Sequence, residues 1–159
     1  MKQSVKRVLD ALHAAGIDAE IKELSASTRT AEEAAAAVGT SVPHIVKSLV
    51  FLADDRPIVA LVSGSNRLDT DRVGQLLGCA IARADAATVR AATGFAIGGV
   101  PPLAHATALD VLIDRDLLQY DVVWAAAGTP HAVFPIAPDR LVSATGGRIV
   151  DLKVETAET

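Results

Sequence analysis

Lys47–Ser63 reads KSLVFLADDRPIVALVS. Two near-continuous apolar runs, Lys47–Ala53 and Pro57–Ser63, flank a polar turn over Asp54–Pro57. Short runs rich in Val, Leu and Ile, with no helical spacing, are strands covered on both faces. The stretch therefore predicts an antiparallel hairpin at the centre of a sheet, and the remaining elements are laid around it.

Upstream, Val5, Val8, Leu9 and Leu12 form an apolar stripe that predicts a helix over Gln3–Ala14, stopped by Gly16. Ile17–Leu24 alternates as a half-buried strand does. Thr30-Ala-Glu-Glu33 matches a capping box, opening a helix over Ala31–Val38 that Gly39 closes. Thr40 or Ser41 is placed to cap a short turn through Val46. Downstream, Asp69 caps Thr70–Leu77 and Asp85 caps Ala86–Ala92. Cys79–Ala84, Ala108–Ile113, Val122–Ala127, His131–Ile136 and Arg148–Leu152 read as strands, and Pro138–Ser143 as a helical turn. Strands outnumber helices without strict alternation. The expected class is α/β of the α+β type: a mixed, mainly antiparallel sheet, curved or barrel-like, flanked by helices. Residues 1–152 read as a single domain, and Lys153–Thr159 as a frayed tail.

The chain has 159 residues, 50% of them hydrophobic and 21% charged, which excludes intrinsic disorder. Aromatics are only 3%, so the core is aliphatic and a base-stacking platform is disfavoured. A formal net charge of −4 argues against coating nucleic acid along its phosphates, though not against touching one end. Cys79 is the only cysteine, which leaves no internal disulfide and suits a reducing cytoplasm. Two uncharged windows, Ala91–Leu109 and Val122–Pro138, are broken by Gly and Pro and read as buried strands and loops, not membrane spans. His13, His44, His105 and His131 fall on unrelated elements, so no metal site is expected.

Three features carry candidate chemistry. Lys47 precedes an apolar run, where a lysine either snorkels from an edge or aims its ammonium into a pocket mouth. Thr93–Pro102, TGFAIGGVPP, puts Gly98 and Gly99 before Val-Pro-Pro. It is either an ordinary connecting turn or a bare backbone whose Gly98 N–H meets a ligand. Ala127–Ala132, AGTPHA, is a Gly/Pro turn between apolar strands in which Thr129 and His131 are either structural or in reach of a substrate.

In this order, "IVKSLVF", "GSNRLD", "TGFAIGGVPP", "VLIDRDL" and "AGTPHAVFPI" resemble the YbaK/ProX family of aminoacyl-tRNA deacylases, from about Thr30 to Leu152. That family includes free-standing editing proteins and the insertion domain of bacterial prolyl-tRNA synthetases. The resemblance implies a mixed sheet flanked by helices. It puts the key lysine at Lys47 and the G-x-x-x-P loop at Gly98–Pro102, with Gly99 and Pro102 beside the amino-acid pocket. It puts the hairpin glycine at Gly128, with Thr129 and His131 alongside. Ser48 stands where alanyl-specific members often have Asn, and Ser65 where many relatives have an acidic residue.

The implied activity is trans-editing: hydrolysis of the ester of a mischarged aminoacyl-tRNA, a small residue such as Ala or Cys on tRNA(Pro). Lys47 and Gly98 are then catalytic, and Ser48, Gly99, Pro102, Gly128, Thr129 and His131 bind substrate. No cofactor or metal is needed. The partners implied are the acceptor 3′ end and a prolyl-tRNA synthetase. The alternatives are a non-catalytic aminoacyl- or nucleotide-binding module or synthetase-associated protein, which binds without hydrolysis, and a small-molecule esterase, which cleaves free aminoacyl esters equally fast.

Overall fold

The computed structural model describes residues 2–155. Its centre is the expected hairpin: β2 (Ile45–Ala53) runs antiparallel to β3 (Arg56–Ser63), with Val50 opposite Val59. The turn needs only Asp54 and Asp55, at φ 48° and 70°. Two successive left-handed residues match the twist of the flanking strands, and Asp adopts that conformation more readily than most residues. β3 is covered on both faces. Val59 and Leu61 belong to one apolar cluster, Ile58, Ala60 and Val62 to another across the sheet.

The strands number β1 (Lys22–Glu23), β2, β3, β4 (Ile81–Arg83), β5 (Asp110–Asp114), β6 (Val123–Ala126), β7 (Ala132–Ile136) and β8 (Arg148–Val150). Their order across the sheet is β1-β7-β6-β2-β3-β5-β8. β2 pairs parallel with β6, as β3 does with β5 and β5 with β8; the other pairings are antiparallel. The sheet is thus mixed and helix-flanked, as expected. β4 lies off this path and pairs with the far end of β2, beside α3 (Thr70–Leu77).

The helix α1 (Gln3–Ala14) buries Val5, Val8 and Leu12 against the Val59/Leu61 face. α2 (Ala31–Val38) carries the full capping box: Thr30 Oγ1 accepts from Glu33 N–H and Glu33 returns the bond to Thr30 N–H. α3 and α4 (Ala86–Thr93) start on Asp69 and Asp85 as predicted.

Several boundaries differ from the sequence reading. Ile17, Ala19 and Ile21 do turn inward, but only Lys22–Glu23 pairs, with Val133 and Ala132 of β7. The turn before β2 is a 3₁₀ segment, Val42–His44, without a side-chain cap, and β2 begins at Ile45. Arg115–Gln119 forms a 3₁₀ turn the sequence reading left out, nucleated by Asp114 accepting from Asp116 N–H. Pro138–Thr145 (α5) is a full helix. Lys153–Glu155, read as frayed, is held: Lys153 bridges to Leu68 and Val154 N–H donates to Arg67 O. The rest of that tail, residues 156–159, lies outside the described residues.

Candidate functional site

β2 has β3 along one side for its whole length. On its other side β6 takes only Ile45 and Val46, and β4 only Phe51, Leu52 and Ala53. Lys47–Val50 has no strand partner there. The loop after α4 brings Ile97 and Gly98 to this gap.

A hollow of about 660 Å³ opens at the gap. Lys47, Ser48 and Leu49 line it from β2, Gly98 from the loop, and Thr28–Glu32 from the start of α2. Ala31, Ile45, Trp124 and Val133 give it apolar surface. A second hollow of about 420 Å³ continues along β2 and shares Ser48, Leu49, Ile97 and Gly98 with the first.

Lys47 is half-buried, and its Nζ donates to the main-chain oxygen of Asn66 at 2.5 Å. The Asn66 carboxamide in turn donates to Asp114 Oδ2 (2.8 Å) and Asp116 Oδ2 (2.9 Å). Asp114 is wholly buried; it also accepts from Ser63 N–H and Asp116 N–H. Lys153 donates to Asp116 Oδ2 at 2.8 Å, which closes the chain of contacts. Burial pushes the Lys47 pKa below the ordinary lysine value, while the carboxylates of Glu32 and Asp114 pull it back up. An ammonium with one carbonyl partner keeps donors for a phosphate or an oxyanion.

Gly98 adopts φ +94°, a conformation that favours glycine. Its N–H has no hydrogen-bond acceptor among the described residues. Arg29 lies alongside, its Cγ at 3.2 Å from where a Gly98 side chain would begin. The loop is set from behind. Gly99 packs on Gly128 and Thr129 so closely that a Cβ there would sit 2.8 Å from Thr129 Cα. Gly128 N–H donates to Gly99 O at 3.0 Å. His105 Nε2 lies 2.8 Å from Pro101 O, and Arg7 donates to Gly94 O with its guanidinium 4.5 Å over Phe95.

Lys47, Ser48 and Gly98 therefore share one hollow. Gly99, Pro102, Gly128, Thr129 and His131 do not line it. Pro102 is buried, Gly99, Gly128 and Thr129 buttress the loop, and His131 points to solvent from the hairpin. Ser48 Oγ is buried without a hydrogen-bond partner. The sequence reading missed Asn66, Asp114 and Asp116 as neighbours of the lysine. The available signal was Asp114 closing the apolar run VLID, a carboxylate at a position that is otherwise core. No group of three or more His, Cys, Asp or Glu among the described residues is placed to hold a metal ion.

Known proteins share this architecture. A family model described as "Aminoacyl-tRNA editing domain" matches residues 25–144. A solved structure described as that of a candidate trans-editing enzyme for prolyl-tRNA synthetase is 48% identical, covers 98% of this chain and 99% of its own, and superposes with a TM-score of 0.93. A candidate Cys-tRNA(Pro)/Cys-tRNA(Cys) deacylase, EbsC of Enterococcus faecalis, is 24% identical over 77% of this chain and 76% of its own. The proline–tRNA ligase of Nitratidesulfovibrio vulgaris strain DP4 is 34% identical over 60% of this chain, a match that spans 17% of the ligase.

Proposed function

The chain belongs to the aminoacyl-tRNA editing domain family, and from that premise we propose that it hydrolyses the ester of mischarged aminoacyl-tRNA in trans, with alanyl- or cysteinyl-tRNA(Pro) as substrate. The observation that carries the proposal is that Lys47 and Gly98 line one hollow.

The substrate is an ester between an amino acid and the terminal ribose. Hydrolysis needs a placed water and stabilisation of a tetrahedral oxyanion, and no protein nucleophile. Lys47 anchors the terminal phosphate or ribose and orients the ester. The Gly98 N–H, free of other acceptors, donates to the carbonyl as it becomes an oxyanion. A lost donor of this kind costs roughly 3–4 kcal/mol of barrier. The vicinal ribose hydroxyl activates the water, whose oxygen bonds to the carbonyl carbon. The ester C–O bond then breaks and the departing ribose oxygen takes the proton.

Trp124, Ala31 and the Gly98 loop bound the space left for the amino-acid side chain. Exclusion by size is a stronger filter than one missing methylene, worth about 1–3 kcal/mol. On this reading the protein works in the cytoplasm and clears the errors of a prolyl-tRNA synthetase.

A panel of mischarged tRNAs tests this. Single-turnover hydrolysis of Ala- or Cys-tRNA(Pro), with Pro-tRNA(Pro) spared, is the expected result. Binding without hydrolysis of any member at enzyme excess would overturn it.

A further inference from the structure

The open edge of β2 does something the reading above leaves unused. Main-chain N–H and C=O groups alternate sides along a strand. Ile45 O accepts from Gly64 N–H on the β3 side, whereas Asp54 N–H donates to Ala80 O on the β4 side. The even-numbered residues therefore direct their main-chain groups away from β3. Val46 uses its groups on β6 and Leu52 uses its groups on β4. Between them, the main-chain groups of Ser48 and the Val50 N–H have no main-chain partner on that side among the described residues. Their free groups face the second hollow, which both residues line.

Unpaired main-chain groups in a partly enclosed groove are costly unless something meets them. The Ser48 C=O and the Val50 N–H offer an acceptor and a donor, side by side, at the wall of the hollow. Around them the surface is apolar: Ile81, Val89, Ile97 and Val100. Such a slot suits a flat, uncharged ring with a donor next to an acceptor on one edge. Adenine has this pattern at its N6 amino group and N1. The second hollow adjoins the first at Ser48 and Gly98, where the ester is placed.

We propose that the open edge of β2 reads the adenine of the substrate's terminal nucleoside, Ser48 C=O accepting from N6–H and Val50 N–H donating to N1. The base lies in the second hollow and the aminoacyl group in the first. This inference rests on the editing reading.

The test changes the base and leaves the protein intact. Alanyl-tRNA(Pro) is assembled by ligating an acylated dinucleotide that ends in adenine, 7-deazaadenine, 1-deazaadenine or N6,N6-dimethyladenine. If cysteine is the preferred residue, the cysteinyl series is used. The first two should be hydrolysed alike, and the last two at least roughly tenfold more slowly, as expected for a lost hydrogen bond that strands a buried partner. Equal rates for all four would overturn the base assignment and leave editing intact, as would a loss confined to 7-deazaadenine. No hydrolysis of the adenine substrates carrying either amino acid would overturn the editing reading and this inference together.

Discussion

Lys47 Nζ donates to the main-chain carbonyl of Asn66, and the side chain of the same asparagine is gripped by Asp114 and Asp116. One residue thus positions the cation with its backbone and is itself positioned by its amide. The two carboxylates come from the end of β5 and the turn after it, and the lysine from β2, so three segments meet at one residue.

Asn66→Ala should reach Lys47 indirectly. It leaves Asp114 Oδ2 with Ser63 N–H alone, and frees the loop that holds the ammonium. Loss of a partner from a buried acceptor costs about 1–3 kcal/mol. Urea denaturation should show that loss, and single-turnover deacylation should slow at saturating enzyme, with the fold retained by circular dichroism. An unaltered rate would detach Asn66 from the positioning of Lys47.

Lys153 and Asp116 set an acid-sensitive contact. The Lys153 hydrogen bond, then that of Asn66, holds the Asp116 carboxyl below its ordinary value of 3.8. A carboxylate with a lowered folded-state pKa stabilises the fold above 3.8, and that contribution disappears as acid protonates the folded state. Wild type should therefore exceed Lys153→Met in denaturation midpoint at neutral pH, with the gap closing on acidification through the carboxylate range. A gap that persists unchanged in acid would contradict the assignment.

His105 gives the opposite chemistry with the same direction. Burial lowers its pKa below 6.5, with the Pro101 carbonyl partly offsetting this. The unfolded chain takes up the proton first, so stability falls as pH drops below about 6.5. His105→Gln keeps a donor for Pro101 O but does not titrate. Its stability should lack that step when followed by thermal melts across the range, and a step equal to wild type would assign the titration elsewhere.

Gly99→Ala tests the buttress. The new methyl would lie 2.8 Å from Thr129 Cα, so hairpin and loop must part. Overpacking of this kind costs about 1–3 kcal/mol. The expected result is a lower melting temperature together with slower deacylation, since the Gly98 N–H moves with the loop. A stable variant with full activity would show that the hairpin does not set the loop.

The sequence made the centre legible and the periphery less so. Val59–Val62 reads as doubly covered strand because every residue is apolar, and each is buried. Thr30, Asp69 and Asp85 announce their helices by local hydrogen bonding, which needs no tertiary information. Ile17–Leu24 shows the limit: alternation reports which side chains turn inward, but not which residues find a partner strand, and only Lys22 and Glu23 pair with β7. At the site, residue type left Lys47 between an edge residue and a pocket cation and Gly98 between an ordinary turn and a ligand contact, and it was the family resemblance that singled them out. Their meeting across a gap in the sheet depends on β6 and β4 leaving β2 uncovered for four residues, Lys47–Val50, a property of topology with no local signature. The Gly128 hairpin was assigned to substrate binding by the family resemblance alone; in the fold Gly128 packs closely on Ser4 and Phe95 and does not line the hollow.

The most direct measurement is single-turnover deacylation of Ala- and Cys-tRNA(Pro) by wild type and Lys47→Ala, each verified as folded. We predict hydrolysis by wild type and a loss of about 100-fold or more in the variant, the scale of one removed electrostatic contact to the reacting ester. Equal rates for the two proteins would contradict the account, because the half-buried cation at the mouth of the hollow would then have no part in the reaction.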